Sequence, residues 1–302
     1  MTAKQLSFSK NTIDDRVQFN YQWQDQAKVT QSISFTVDKT VLFDRFRNFK
    51  AYKASLAKRY INQGIKKALS QQNTPNVHIS FSGGGDEMHI EIKSQNQQAL
   101  NQTYQTIEKL ENELLQTYLT DNFYHQFRAY DNSLAIKPDH ARIANESVMD
   151  FKPLKTLILD KVSIQNVRKV SNYVLGFVQS IPYATLESRT TSTGAGFNPP
   201  LRILWENQGD CDSKVTLTAA IFRSLMPRIK MMLVFIDNHA LLAVNIPAQG
   251  GELTINVDGL TYVLAEPTGP AMTLMGQISP ESEFAIRNGR YYAEPFFAQS
   301  NM

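Results

Sequence analysis

Three residues of this chain could share one reaction: Cys211, His239 and Glu266, in that order along the sequence. Cys211 is the single cysteine and stands in Gly209-Asp210-Cys211-Asp212-Ser213-Lys214, where a loop turns into a helix. The apolar stretch behind it, Val215, Leu217, Ala219, Ala220, Ile221, Phe222 and Leu225, is long enough for a buried helix, and Asp210 is of the type that caps one. Cys211 then lies in the first turn. There the backbone N–H groups carry a partial positive charge that favours a thiolate and an adjacent oxyanion. A cysteine in a plain core position needs no such polar neighbours, although a lone cysteine is more often an inert small hydrophobe.

A base and an acid follow. Asn238-His239-Ala240 opens the run Ala240 to Val244, so His239 starts a buried strand. It is the only histidine of the C-terminal half, because His78, His89, His125 and His140 all precede residue 150. After turns at Gln249-Gly250-Gly251 and Asp258-Gly259, the strand Leu260 to Ala265 ends in Glu266-Pro267-Thr268. A carboxylate at that strand end can hold an imidazole in one tautomer.

The cysteine hexapeptide, the His-Ala strand and the acid-Pro-Thr end together resemble the bacterial transglutaminase-like superfamily of papain-type cysteine enzymes. Upstream, Phe177-Val178-Gln179-Ser180-Ile181-Pro182-Tyr183 is similar to the helix end before that family's substrate loop, and Pro200-Leu201-Arg202-Ile203-Leu204 to its approach to the cysteine. The resemblance spans roughly residues 153 to 270. It departs from the family at Glu266, where aspartate is usual, and at Leu241, where an aromatic often follows the His-Ala pair.

The resemblance implies a papain/transglutaminase-like α+β domain over residues 153–302 and a Cys-His-acid triad without a cofactor. His239 would take the Cys211 proton, Glu266 would orient the imidazolium, and the thiolate would attack an amide or acyl carbonyl to give a thioester. Hydrolysis of a protein or peptide substrate is the leading expectation. Transglutaminase-type acyl transfer and a non-catalytic interaction module are the alternatives. The Cys211 N–H is the natural first oxyanion donor, with Gln208, Asn207 or, by analogy with the indole donor of animal transglutaminases, Trp205 as the second. Between Tyr183 and Pro200 lies a long aperiodic segment, so Tyr183, Arg189 and Phe197 are expected on a substrate-facing loop.

At 302 residues the chain exceeds the usual single domain, and 42% hydrophobic residues suffice for packed cores. A net charge of +3 is too small to argue for nucleic acid. One cysteine excludes an internal disulfide and a Cys-rich metal site. No run approaches a transmembrane span and the first residues lack the apolar core of a signal peptide, so a cytoplasmic protein is expected, or a periplasmic one if a leader has been removed.

The fold class expected is α+β. Residues 1–140 read as hairpin, helix, hairpin, helix, giving an N-terminal antiparallel sheet with two covering helices, and 141–152 as a polar connector. The first hairpin is Val17, Phe19, Tyr21 and Trp23 alternating against Ile33, Phe35 and Val37. The second runs Val77 to Phe81 and Met88 to Ile92 around Gly83-Gly84-Gly85, with His78 and His89 as possible cross-strand neighbours but no metal cluster. One helix is expected over Leu42 to Leu69 and another over Leu100 to Tyr118. The first is basic: Arg45, Arg47, Lys50, Lys53, Lys58, Arg59, Lys66 and Lys67 are set against a single acid, Asp44, as a solvated surface or as a dock for an acidic partner, anionic lipid or nucleic acid. In the C-terminal part, helices are expected near Leu154 to Leu159 and, with Ile164 in its stripe, up to Ile181.

Overall fold

The computed structural model describes residues 4–72, 75–162, 166–188, 192 and 194–297. The first three strands are β1 (Lys4–Ile13), β2 (Arg16–Gln24) and β3 (Thr30–Asp38), followed by α1 (Lys39–Asp44) and α2 (Ala54–Gln71). Next come β4 (His78–Ser82), β5 (His89–Lys93), α3 (Gln97–Asp121), β6 (Tyr124–Arg128) and β7 (Leu134–Pro138). Helices α4 (His140–Ser147), α5 (Lys152–Leu159), α6 (Val167–Ser180), α7 (Pro200–Glu206) and α8 (Cys211–Leu225) lead to the last sheet. That sheet uses β8 (Met231–Ile236), β9 (His239–Val244), β10 (Thr254–Val257), β11 (Leu260–Ala265) and β12 (Tyr292–Phe296), with α9 (Pro280–Arg287) before β12. The class is α+β, as expected.

The chain forms two compact units. One is built from the described residues of Met1–Asn48, Arg128–Ala135 and Asp139–Met302, the other from Phe49–Phe127 and Ile136–Pro138. This corrects the division into 1–140, 141–152 and 153–302. The first hairpin does not belong with the two long helices. Its alternation buries Val17, Phe19, Tyr21 and Trp23, and that face packs into the core that contains Cys211. The Tyr21 and Trp23 rings lie 5.0 and 5.4 Å from Phe177 of α6, and the Tyr21 hydroxyl donates to the Leu204 carbonyl of α7 at 3.0 Å. The connector is likewise folded: α4 and the turn after it bury Ile143, Ala144 and Phe151 in the same unit.

The C-terminal sheet has the order β10-β11-β9-β8-β12, with every observed pairing antiparallel. Both faces are covered, which is why β8 and β9 are continuous apolar runs. Met231, Leu233, Leu242 and Val263 join the core shared with α8, whereas Met232, Val234, Leu241 and Leu264 pack in a second cluster with Ile286 of α9.

The second unit pairs β4 with β5 and packs Ile61, Ile65 and Leu69 of α2 against Ile79, Phe81 and Ile90 of the hairpin and Ile107, Leu110 and Leu114 of α3. The two helices approach closely at Gly64, where a Cβ would meet a Leu114 methyl carbon at 2.6 Å. Two expectations change here. His78 pairs with Lys93 and His89 with Ser82, so the histidines are not cross-strand neighbours. The basic run is not one helix either: α1 stops at Asp44, Phe46 takes a left-handed φ of 57°, and α2 begins at Ala54. Arg45 instead binds the buried Asp150 carboxylate at 2.7 Å within the first unit. Among the described residues, no helix is long and apolar enough to cross a membrane.

Candidate functional site

Helix α8 begins at Cys211 because Asp210 caps it: the Asp210 carboxylate accepts the Ser213 N–H at 3.1 Å. The residues before the cap are held in an extended path. Gly209 bridges to Tyr183, donating its N–H to the Pro182 carbonyl and accepting the Ala184 N–H. Ser213 Oγ accepts the Asn198 N–H at 2.7 Å, which ties the end of the long loop to the same turn. Lys214 is fully buried, and its ammonium donates to the Ile181 carbonyl.

The imidazole and the acid meet across adjacent strands. His239 opens β9, Glu266 follows the end of β11, and these strands pair side by side with Ala265 opposite Leu242. The His239 Nε2–H donates to Glu266 Oε1 at 2.7 Å. The other carboxylate oxygen accepts the Ser279 N–H at 2.6 Å, so Glu266 is fixed on both sides. Behind it, buried Gln179 of α6 donates to the Glu266 backbone carbonyl at 2.9 Å and to the Thr273 carbonyl at 3.0 Å. With Nε2 committed to Glu266, Nδ1 is the nitrogen left to act as a base.

The thiol lies next to this pair without bonding to it. Cys211 Sγ donates to Asp212 Oδ1 at 3.4 Å and lies 3.9 Å from the carbonyl oxygen of Asn238, the residue before His239. Cys211 is 8% exposed and the His239 side chain 21%, so both stand just beneath the surface. The electrostatics run against the expected thiolate. Burial first, then the charges of Asp212 and Asp210, push the thiol well above its ordinary range, outweighing the helix N-terminus. Asp210 is itself pushed up to about 7 by burial and by Asp212, and burial brings Lys214 down to about 8.

The remaining sequence candidates divide. The Tyr183 ring is half exposed beside Gly209, and burial followed by the charges of Cys211, Asp210 and Asp212 raises its phenol. It lies beside the extended segment that leads into α8. Phe197 does not face a substrate: it is buried, edge-on to His140 at 5.0 Å. Arg189 lies outside the described residues. Asn207 exchanges both amide hydrogen bonds with Gln5 of β1, at 2.8 and 2.9 Å. The Trp205 indole packs against Phe43 at 5.0 Å and under the Lys10 ammonium at 3.6 Å, and Gln208 Nε2 donates to Glu206 at 3.4 Å. These contacts give the Asn207 and Gln208 side-chain amides other partners, whereas those of Trp205 are made through its ring.

One neighbour was set aside in the sequence because it precedes residue 150. His140, buried in the first turn of α4, has its Nε2 3.6 Å from Asp212 Oδ2, on the carboxylate that also takes the Cys211 thiol. Phe197 and Phe235, at 5.0 and 5.1 Å, enclose its ring. No spacing rule could have found this contact, since it comes from α4 packing on α8. Gln179, by contrast, stood in the helix-end motif already singled out.

No protein-family model, no curated protein and no solved structure matches the chain.

Proposed function

We propose that this chain is a cysteine hydrolase that cleaves peptide-type amide bonds through a thioester on Cys211, with His239 as general base and Glu266 holding the imidazole. One observation carries the reading: the His239–Glu266 hydrogen bond of 2.7 Å, with Asn238, next to that histidine, lying against Cys211 Sγ. A structural cysteine has no need of an oriented imidazole one residue from a carbonyl it lies against.

The raised thiol shapes the mechanism. The resting site holds S–H donated to Asp212, so the nucleophile is made at the moment of attack. A turn about the cysteine χ1 brings Sγ towards His239 Nδ1. Nδ1 takes the proton as sulfur bonds to the carbonyl carbon, and the carbonyl electrons move onto oxygen. The Cys211 N–H, at the start of α8 and without an intrahelical acceptor, faces the developing charge. Collapse expels the amine, which takes the proton from His239. Water then adds to the thioester with its proton passing to Nδ1, and loss of the thiolate, reprotonated from the imidazolium, releases the acid. Glu266 keeps Nε2–H in place throughout.

One observation favours a second reading, a non-catalytic module: Sγ and the imidazole share no hydrogen bond while burial and two aspartates keep the thiol neutral. Trapping separates the two. Intact mass after brief exposure to a p-nitrophenyl acyl ester should show one acyl group on Cys211, lost in Cys211→Ala and formed about 10²–10⁴ times more slowly in His239→Ala. No adduct, or equal rates in the two proteins, sinks catalysis. With a thioester in hand, added primary amines distinguish acyl transfer from hydrolysis.

In the same reading α2, with Lys58, Lys66 and Lys67 on one helix, docks an acidic partner or substrate segment. Charge reversal there should weaken partner binding in a salt-dependent way and leave acylation of Cys211 untouched.

A further inference from the structure

The far end of α8 carries a second site. Arg223, in its last turn, is 5% exposed, and its Nη groups donate to the carbonyls of Pro227, Ile229 and Phe296. Its Nε–H is buried and has no acceptor, and no carboxylate lies within ion-pair distance of it among the described residues. The guanidinium also lies over the Phe296 ring at 4.8 Å. A buried cation met only by neutral acceptors has lost its hydration without gaining a counter-charge, which is unfavourable.

Arg223 borders a cavity of about 330 Å³, at the small end of the usual range for ligand pockets. The exposed Arg228 and Lys230 stand on its rim, and neither is ion-paired among the described residues. Asp258 is the one acid among its lining residues, so cations exceed acids there by two. The walls are apolar: Met232, Tyr262 and Phe296 are buried, and Phe297 is exposed at the edge. From Cys211 to Arg223 the helix rises about 18 Å, so this hollow is separate from the thiol site.

We infer that this cavity binds an amphipathic carboxylate, its head between Arg228, Lys230 and Arg223 and its short aliphatic chain against Tyr262, Phe296 and Phe297. The cations supply charge-assisted donors for the head, and the aromatic walls reward burial of the chain. A bare inorganic anion uses only the first of these and a neutral amphiphile only the second.

Calorimetric titration of the full chain at low ionic strength tests this with three probes: sodium octanoate, octanamide and inorganic phosphate. Octanoate should bind at least tenfold tighter than either of the others. Arg223→Met can unfold the end of α8, so the informative variants are on the rim. Arg228→Ala with Lys230→Ala should weaken octanoate at least tenfold and leave the unfolding midpoint unchanged, and Phe297→Ala should weaken it several-fold. Cys211→Ala should bind octanoate as the parent does, which keeps this result independent of the reaction proposed at the thiol. Octanamide equal to octanoate means an apolar hollow without anion selection. Phosphate equal to octanoate means a diffuse basic surface. Either outcome, no binding at all, or full affinity in the rim variant overturns the inference.

Discussion

His239 and Glu266, 27 residues apart in the chain, are joined side chain to side chain at 2.7 Å because β9 and β11 are hydrogen-bonded neighbours. The Ser279 N–H holds the far carboxylate oxygen, so the imidazole is aimed by a group that is itself clamped. Glu266→Gln removes the charge that stabilises the imidazolium and leaves one acceptor oxygen for two N–H donors, those of His239 and Ser279. Acylation of Cys211 by an activated ester should therefore fall by at least tenfold, less than in His239→Ala, and the thermal midpoint should drop modestly because one N–H loses its acceptor. Equal acylation by Glu266→Gln and the parent would remove Glu266 from the mechanism.

The thiol should be slow towards alkylation. Because burial, Asp212 and Asp210 all raise it, little thiolate exists near neutral pH, and iodoacetamide labelling should still be accelerating at the alkaline end of the stable range. Asp212→Asn removes the larger of the two charge effects and should label faster than the parent at pH 8, with Asp210→Asn intermediate. Rapid labelling of the parent at pH 6 would show that the helix N-terminus dominates after all.

Asp210 ties stability to pH. Its carboxyl titrates at about 7 in the fold, against an ordinary value of 3.8, so the folded state binds the extra proton. This contribution is full below about pH 4, where both states are protonated, and is lost as pH rises towards 7. Asparagine caps a helix as well as aspartate does and carries no charge. Asp210→Asn should thus gain on the parent by on the order of 1–3 kcal/mol at pH 8 and match it near pH 4, read from urea unfolding. A parent that gains on the variant as pH rises would reverse the assignment.

The N-terminal sheet is structural for the thiol site. Trp23 is fully buried against Tyr173 and Phe177 of α6, so Trp23→Ala should destabilise the unit by about 3–5 kcal/mol. A chain that starts at Pro153 leaves the partners of β2 exposed and should precipitate. A soluble, cooperatively melting fragment from Pro153 would contradict the shared core.

The parts of the site written in local sequence were legible. Asp210 capping α8, His239 opening β9 and Glu266 closing β11 each follow from a few neighbouring residues, and all three elements form where expected. The hairpin of Val17 to Trp23 with Ile33 to Val37 pairs in register for the same reason. Its place in the fold was not legible, because the partner of Trp23 is Phe177 and no spacing encodes that distance. Strand β1 was missed since most of its positions are exposed and its sequence does not alternate cleanly. The break between α1 and α2 carries neither proline nor glycine, so periodicity ran through it. The sign of the Cys211 shift also escaped: helix ends are visible in sequence, whereas burial beside two charged aspartates is a tertiary fact.

The second unit enters the chain between α1 and α4, so the two sides of the larger core are made far apart in time. As the ribosome works from the N-terminus, Phe19, Tyr21 and Trp23 emerge long before Phe177 and α8 exist to cover them. At ordinary elongation rates that interval is on the order of ten seconds. The inserted helices and hairpin, whose contacts are close in sequence, can fold meanwhile. The nascent protein therefore carries a finished unit beside an uncovered aromatic sheet face, and a chain stalled between residues 127 and 177 should be the species that chaperones engage.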